Sequence, residues 1–269
     1  MNKNLKNKKE LKEDLMDKNL IINFTNTYPR ENLNEIENTE WIDCSDISGT
    51  DMYCTNDAAK EIWNRLKNYS EKGIHFIDSG NYHYVTEFFV EKIDYKFSLV
   101  LFDYHNDMQI PMIHTFTTCG EWARDVLEKN ENLEQLILIG PKQDTIDEIC
   151  GLEEKIRKKL VCISLQQLEE KSALKKLDEI KDNIPFYISI DKDVLSRHYA
   201  KTNWNQGNMS VELIKKILKK FLENHDIIGA DICGERSIYE PIPEFVEDRA
   251  INKKTNKILY DFLTKFIKR

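Results

Sequence analysis

No two cysteines in this chain stand close enough in sequence to form a CxxC pair. Cys44, Cys54, Cys119, Cys150, Cys162 and Cys233 are dispersed. In a chain of 269 residues that pattern predicts reduced thiols and a cytoplasmic protein. A secretory segment is also lacking, because the opening MNKNLKNKKELKEDLMDKN is too polar for one. Nor does any stretch approach the roughly 20 apolar residues of a transmembrane helix. Excess positive charge is missing too: the net charge is −8, which argues against nucleic acid or an anionic membrane as partner. No internal repeat and no Pro/Gly-rich linker divides the chain, so residues 19–269 are expected to form one domain behind a polar tail at 1–18.

What is present is an alternation of short apolar runs with amphipathic stretches. The runs Leu20–Phe24, His75–Ile77, Ser98–Phe102, Leu136–Ile139, Leu160–Ile163, Phe186–Ile190 and Ile227–Ala230 read as strands. Several are almost wholly apolar, as strands covered on both faces should be. Between them, Ala58, Ile62 and Leu66 share one helical face. Leu213, Ile214, Ile217, Leu218 and Phe221 share another, with Ser210 placed as N-cap. Residues Ile258 to Phe266 look like a closing helix. Such alternation predicts an α/β fold with a mostly parallel central sheet and helices on both faces.

In sheets of this kind ligands sit beyond the carboxyl ends of the strands. Three of those ends are rich in metal donors. HFID is followed by Ser79-Gly80-Asn81-Tyr82-His83, SLVLF by Asp103-Tyr104-His105-Asn106-Asp107, and FYISI by Asp191-Lys192-Asp193. Alternate residues of an extended segment point the same way, so Asp103, His105 and Asp107 can converge, as can Asp191 and Asp193. Each motif has a plainer reading: DxD as a turn or helix cap, His83-Tyr84 as packing. Three ionisable groups after a buried strand are nonetheless costly unless something neutralises them. Four carboxylates and two imidazoles suit Mn2+, with Fe2+, Co2+ and Zn2+ as lesser fits. Six protein ligands exceed the usual demand of one open ion, so two cations are expected, about 3.5–4 Å apart with a water of lowered pKa between them.

GNYH, DYHND and SIDKD together resemble the three signatures of the ureohydrolases (arginase, agmatinase, formimidoylglutamase), written GGDH, DAHxD and SxDxD. The resemblance spans about residues 74 to 235. It implies an arginase/deacetylase-like three-layer sandwich, two Mn2+ per chain, and hydrolysis of a guanidino or amidino C–N bond with release of urea or a related product. By this resemblance His83, Asp103, Asp107 and Asp191 hold one ion. Asp103, His105, Asp191 and Asp193 hold the other, with Asp103 and Asp191 bridging and Asp107 helping to orient the nucleophile.

Several positions depart from the family pattern. Asn81 and Tyr82 replace Gly and Asp beside His83. The His-Gly expected downstream of DAHxD is matched by Cys119-Gly120, so either Cys119 or the nearby His114 is the candidate proton carrier. The glutamate that pairs with a guanidinium is offered by Glu235, one position off a strict match; pairing with Arg236 is the competing reading. The loop Thr202–Gly207 brings Trp204, Asn205 and Gln206 forward as substrate-facing residues, along with Asn81. These departures suggest a divergent branch whose substrate is a small guanidino or amidino compound or an arginine-containing peptide. An amide deacylase on the same fold and a catalytically silent metal-binding protein are the competing readings, and a homo-oligomer is left open.

Overall fold

In the computed structural model the described residues are 15–29, 36–111, 116–170, 173, 176, 180, 183–222, 225–236 and 242–267. Among the described residues there are ten strands: β1 (Asn19–Asn23), β2 (Thr39–Asp43), β3 (Tyr53–Cys54), β4 (Gly73–Ile77), β5 (Phe97–Phe102), β6 (Thr117–Thr118), β7 (Leu133–Ile139), β8 (Leu160–Ile163), β9 (Phe186–Asp191) and β10 (Ile227–Cys233). Eight of them form one sheet in the order β2-β1-β4-β10-β9-β5-β7-β8. Every pairing in it is parallel. β3 and β6 make a separate antiparallel ribbon. Most of the expected 1–18 tail lies outside the described residues, while Met16 is tied to the body by its N–H donating to the Asn68 carbonyl at 2.9 Å.

Period-two alternation divides the strand side chains between two cores. Leu99, Leu101, Leu136 and Leu138 pack with Ala58, Ile62 and Leu66 of the helix Asn56–Leu66. Val100, Phe102, Ile137 and Ile139 pack on the other side with Ile214, Leu218 and Phe221 of the helix Val211–Leu222 and Leu259 of the helix Ile242–Leu263. A sheet covered on both faces this way is a three-layer sandwich, and its apolar strands follow from burial on both sides. Ser210 caps its helix as expected, its Oγ accepting from the Leu213 N–H at 3.1 Å. Thr55 does the same for the first helix through the Ala58 N–H. The closing helix is longer than its apolar run suggested, starting at Ile242.

β2 went unseen among the sequence runs because it is an edge strand whose first three residues are only half-buried. The two-residue strands β3 and β6 are too short to carry any periodicity. The four central strands β4, β10, β9 and β5 lie side by side, so their carboxyl ends deliver His83, Glu235, Asp191 and Asp103 to one edge of the sheet.

Candidate metal centre

The chain after β4 turns into a 3-10 helix, Gly80–Val85, that buries His83. This turn needs a glycine: a Cβ on Gly80 would lie 2.8 Å from Asp191 Oδ2. Asp78 secures the turn from below, its carboxylate accepting from the backbone N–H of Phe24, Thr25 and Ser79 at 2.8–3.0 Å. The result places His83 Nδ1 at 3.2 Å from Asp103 Oδ2, 3.3 Å from Asp107 Oδ2 and 3.6 Å from Asp191 Oδ2.

The protonation of His83 follows from the groups behind it. Ser189 Oγ donates to Asp231 Oδ1 at 2.6 Å, since a carboxylate can only accept. Its oxygen is then left to accept from His83 Nε2–H at 2.9 Å. With the proton on Nε2, Nδ1 turns a lone pair toward three carboxylate oxygens, and it has no hydrogen-bond partner although it is buried. Lone pair against carboxylate is repulsive unless a proton or a cation lies between. Burial works against a charged His83, but Cys233, Asp103 and Asp107 outweigh it and hold the imidazole pKa well above the usual value.

The second half of the cluster repeats the arrangement. His105 Nδ1 lies 2.8 Å from Asp193 Oδ2 and 3.6 Å from Asp103 Oδ1. Backbone N–H groups orient the carboxylates: Tyr104 N–H donates to Asp193 Oδ1 at 3.0 Å and Asp193 N–H to Asp191 Oδ1 at 2.8 Å. Burial opposes a charged His105, yet Asp103 and Asp193 raise its pKa to about 12. Burial and then the neighbouring carboxylates raise Asp191 and Asp193 to about 7. The donor atoms of His83, Asp103 and Asp107 lie within 4.8 Å of one another, as do those of Asp103, His105 and Asp193. All six donors expected from the sequence are therefore brought to one place, and this oxygen- and imidazole-rich set with an orphaned Nδ1 fits divalent cations.

The structure adds residues to which the sequence reading assigned no role. Ser189 stands inside SIDKD and Asp231 within β10, but nothing in their spacing marked them as the support of His83. Trp122 Nε1 donates to Asp107 Oδ2 at 2.6 Å, and its ring packs 4.7 Å from the His83 ring. Asp107 itself adopts a left-handed backbone, φ 47°. Cys233 Sγ donates to Asp191 Oδ2 at 3.1 Å and groups with His83 and Asp191.

A cavity of about 820 Å3 opens over the cluster. Its floor is His83, His105 and the four aspartates, and its walls include Tyr53, Phe116, Cys119 and Trp204. Burial first, then Asp107, raise the Cys119 thiol to about 12, so it stays protonated at neutral pH. His114 lies outside the described residues. Asn81 does not line the cavity but braces it, accepting from Trp204 Nε1 at 2.8 Å and donating to Asp51 Oδ1 at 2.8 Å. Asn205 is exposed away from the cavity. Gln206 is spent on the loop itself, its Nε2 donating to the carbonyls of Leu195 and Ala200 at 3.1 and 3.0 Å.

Glu235 corrects the expectation of a substrate-facing carboxylate. It is buried against Lys192, and its oxygens also accept from Asn252 Nδ2 at 3.0 Å and Asn256 Nδ2 at 2.7 Å. Its oxygens are thus engaged within the protein, while Arg236 pairs instead with Asp248 at 3.2 Å. The one-residue displacement begins at Gly234, whose φ of +89° turns the chain at the end of β10; a Cβ there would lie 2.5 Å from Asp191 Oδ1.

A parallel α/β sandwich with this edge cluster defines a class of metal-site folds, and comparison with known proteins gives the family. The model of the arginase family matches residues 18–241, and the chain belongs to that family. An uncharacterised protein of Thermotoga maritima is 30% identical over 215 residues, covering 80% of this chain and 78% of that protein. Among solved structures, proclavaminate amidino hydrolase from Streptomyces clavuligerus aligns with a TM-score of 0.61 at 14% identity, covering 92% of each chain. Formimidoylglutamase from Bacillus subtilis aligns at 0.59 and 14%, covering 91% of this chain and 85% of that one. Trypanosoma cruzi formiminoglutamase with Mn2+ aligns at 0.59 and 12%, covering 94% of each. These three likenesses concern the fold.

Proposed function

We propose that the chain is a metal-dependent hydrolase that cleaves a C–N bond of a guanidino or amidino group, with two divalent cations, Mn2+ foremost. The observation that carries this reading is the buried His83 Nδ1, without a hydrogen bond and within 3.6 Å of three carboxylates. His83, Asp103, Asp107 and Asp191 would hold one cation; Asp103, His105, Asp191 and Asp193 the other. When bound, the pair supplies Lewis-acid activation of water near neutral pH. Membership of the arginase family and the amidino-hydrolysing names among structural neighbours support the reaction class.

The chain's own residues supply the rest. Trp122 holds Asp107 in place from one side, and the Ser189–Asp231 pair fixes the His83 ring from behind. Trp204, braced by Asn81, stands at the wall where a planar cation would stack. With Cys119 held as a thiol, His114 is the proposed proton carrier. The engagement of Glu235 favours one competing reading, a protein that binds metal without turnover. Urea or ammonia release from arginine, agmatine, guanidinobutyrate and arginine-containing peptides separates the two. Metal-dependent release from at least one of them is expected. No release from any, with metal bound, would overturn the hydrolase reading.

A further inference from the structure

Among the described residues that line the cavity, the charged side chains other than His83 and His105 are all acidic. Beyond the four aspartates of the floor it is lined by Asp51 and Glu148, both exposed and contributed by separate segments, and no described lining residue is Lys or Arg. The undescribed stretch 112–115, Met-Ile-His-Thr, contributes neither in sequence. Cations on neighbouring elements are already committed. Lys192 is buried with Glu235 and Asn256. Arg124 bonds Glu128 and the Cys150 carbonyl, both at 2.9 Å. Lys142 stands over the Tyr104 ring at 5.6 Å. The wall also carries the aromatic faces of Tyr53, Phe116 and Trp204, with the Tyr53 and Phe116 rings 5.6 Å apart, beside neutral polar side chains such as Gln109 and Thr145.

Two divalent cations would neutralise the four aspartates of the floor and leave Asp51 and Glu148 uncompensated. A substrate carboxylate at the mouth of this cavity would face like charge and meet no Lys or Arg among the described lining residues. An amine there would instead meet acidic and aromatic lining residues. We infer that the cavity selects guanidino or amidino compounds whose far end carries an amine and no free carboxylate, an inference that rests on the hydrolase reading above.

The test is kcat/KM of the Mn2+-loaded full chain for agmatine, arginine amide and arginine, which differ at that far end. Agmatine and arginine amide should exceed arginine by about 100-fold or more, the scale of like-charge juxtaposition. The gap should narrow about tenfold or more in the D51N/E148Q double variant, chiefly through KM, and it should also narrow as salt is raised. Arginine turned over as well as agmatine, or a gap unmoved in the double variant, would overturn the inference and leave the hydrolase reading standing. If none of the three is hydrolysed, the wider panel above decides the hydrolase reading, and calorimetric binding of the same compounds to the Mn2+-loaded chain decides the inference. Tighter agmatine supports it, and equal or tighter arginine overturns it.

Discussion

His83 shows how a single side chain acquires its role from groups that never reach the cavity. Its ring orientation and tautomer depend on Ser189 and, through it, on Asp231. Supports of this kind commonly account for 10–100-fold in metal affinity. Ser189→Ala and Asp231→Asn are each expected to weaken Mn2+ binding by about 10–100-fold with the fold retained, as read by titration calorimetry and circular dichroism. Affinity equal to the parent's would contradict the assignment. His75 gives a residue-scale contrast away from the metal centre. It is fully buried, stacks on Phe89 at 4.0 Å, and its pKa is lowered to about 3, first by burial and then by Lys92. For a base with a depressed folded pKa, the unfolded chain binds the extra proton. Stability is therefore present above about 6.5 and lost as pH falls from there toward about 3. Urea denaturation at pH 7.5 and 4.5 should show a loss that is about 1–3 kcal/mol smaller in His75→Gln than in the parent. An unchanged loss would remove His75 from the acid response. The candidate metal donors stood out at this scale because all of them follow buried apolar runs within a few residues. Ser189, Asp231 and Trp122 were not, because a role played through a neighbour leaves no spacing to read.

At the scale of elements, the closing helix Ile242–Leu263 does more than cover the sheet. Asn252 and Asn256 reach from it to Glu235, and Lys192 joins them from the turn between the two aspartates that end β9. Helix, β9 and β10 are thus locked together next to the candidate donors Asp191 and Asp193. Removing one partner of a buried ion pair leaves the other charge uncompensated, which costs about 3–5 kcal/mol. Glu235→Ala should therefore lower unfolding free energy by about 3–5 kcal/mol in denaturant titration. Its bound-metal stoichiometry at saturating Mn2+ and low temperature should match the parent's. A variant of parental stability with KM alone raised would restore Glu235 as a substrate contact. The strands that hold this lock were readable from their apolar composition, to within a few residues at each end. The edge strand β2 and the ribbon β3–β6 were not, since half-burial and two-residue length leave no pattern. The use of Glu235 was unreadable for another reason: it depends on the positive φ of Gly234 and on a helix arriving from later in the chain.

For the whole molecule, the parallel sheet is the reason that motifs scattered over more than a hundred residues meet. Four adjacent strands end at one edge, and each end carries polar residues that the interior excludes. That logic was visible in the sequence, along with the arginase-like sandwich itself. Substrate recognition was not, because the cavity residues proposed for it, Asp51, Tyr53, Phe116 and Glu148, come from short segments before and between the signatures and meet only when the chain is folded. Metal content tests the proposed two-cation centre. After equilibrium dialysis against Mn2+, elemental analysis should find two equivalents per chain, falling to one or fewer in Asp103→Ala, whose two oxygens face both halves of the site. Zero or one equivalent in the parent, unchanged in Asp103→Ala, would contradict it.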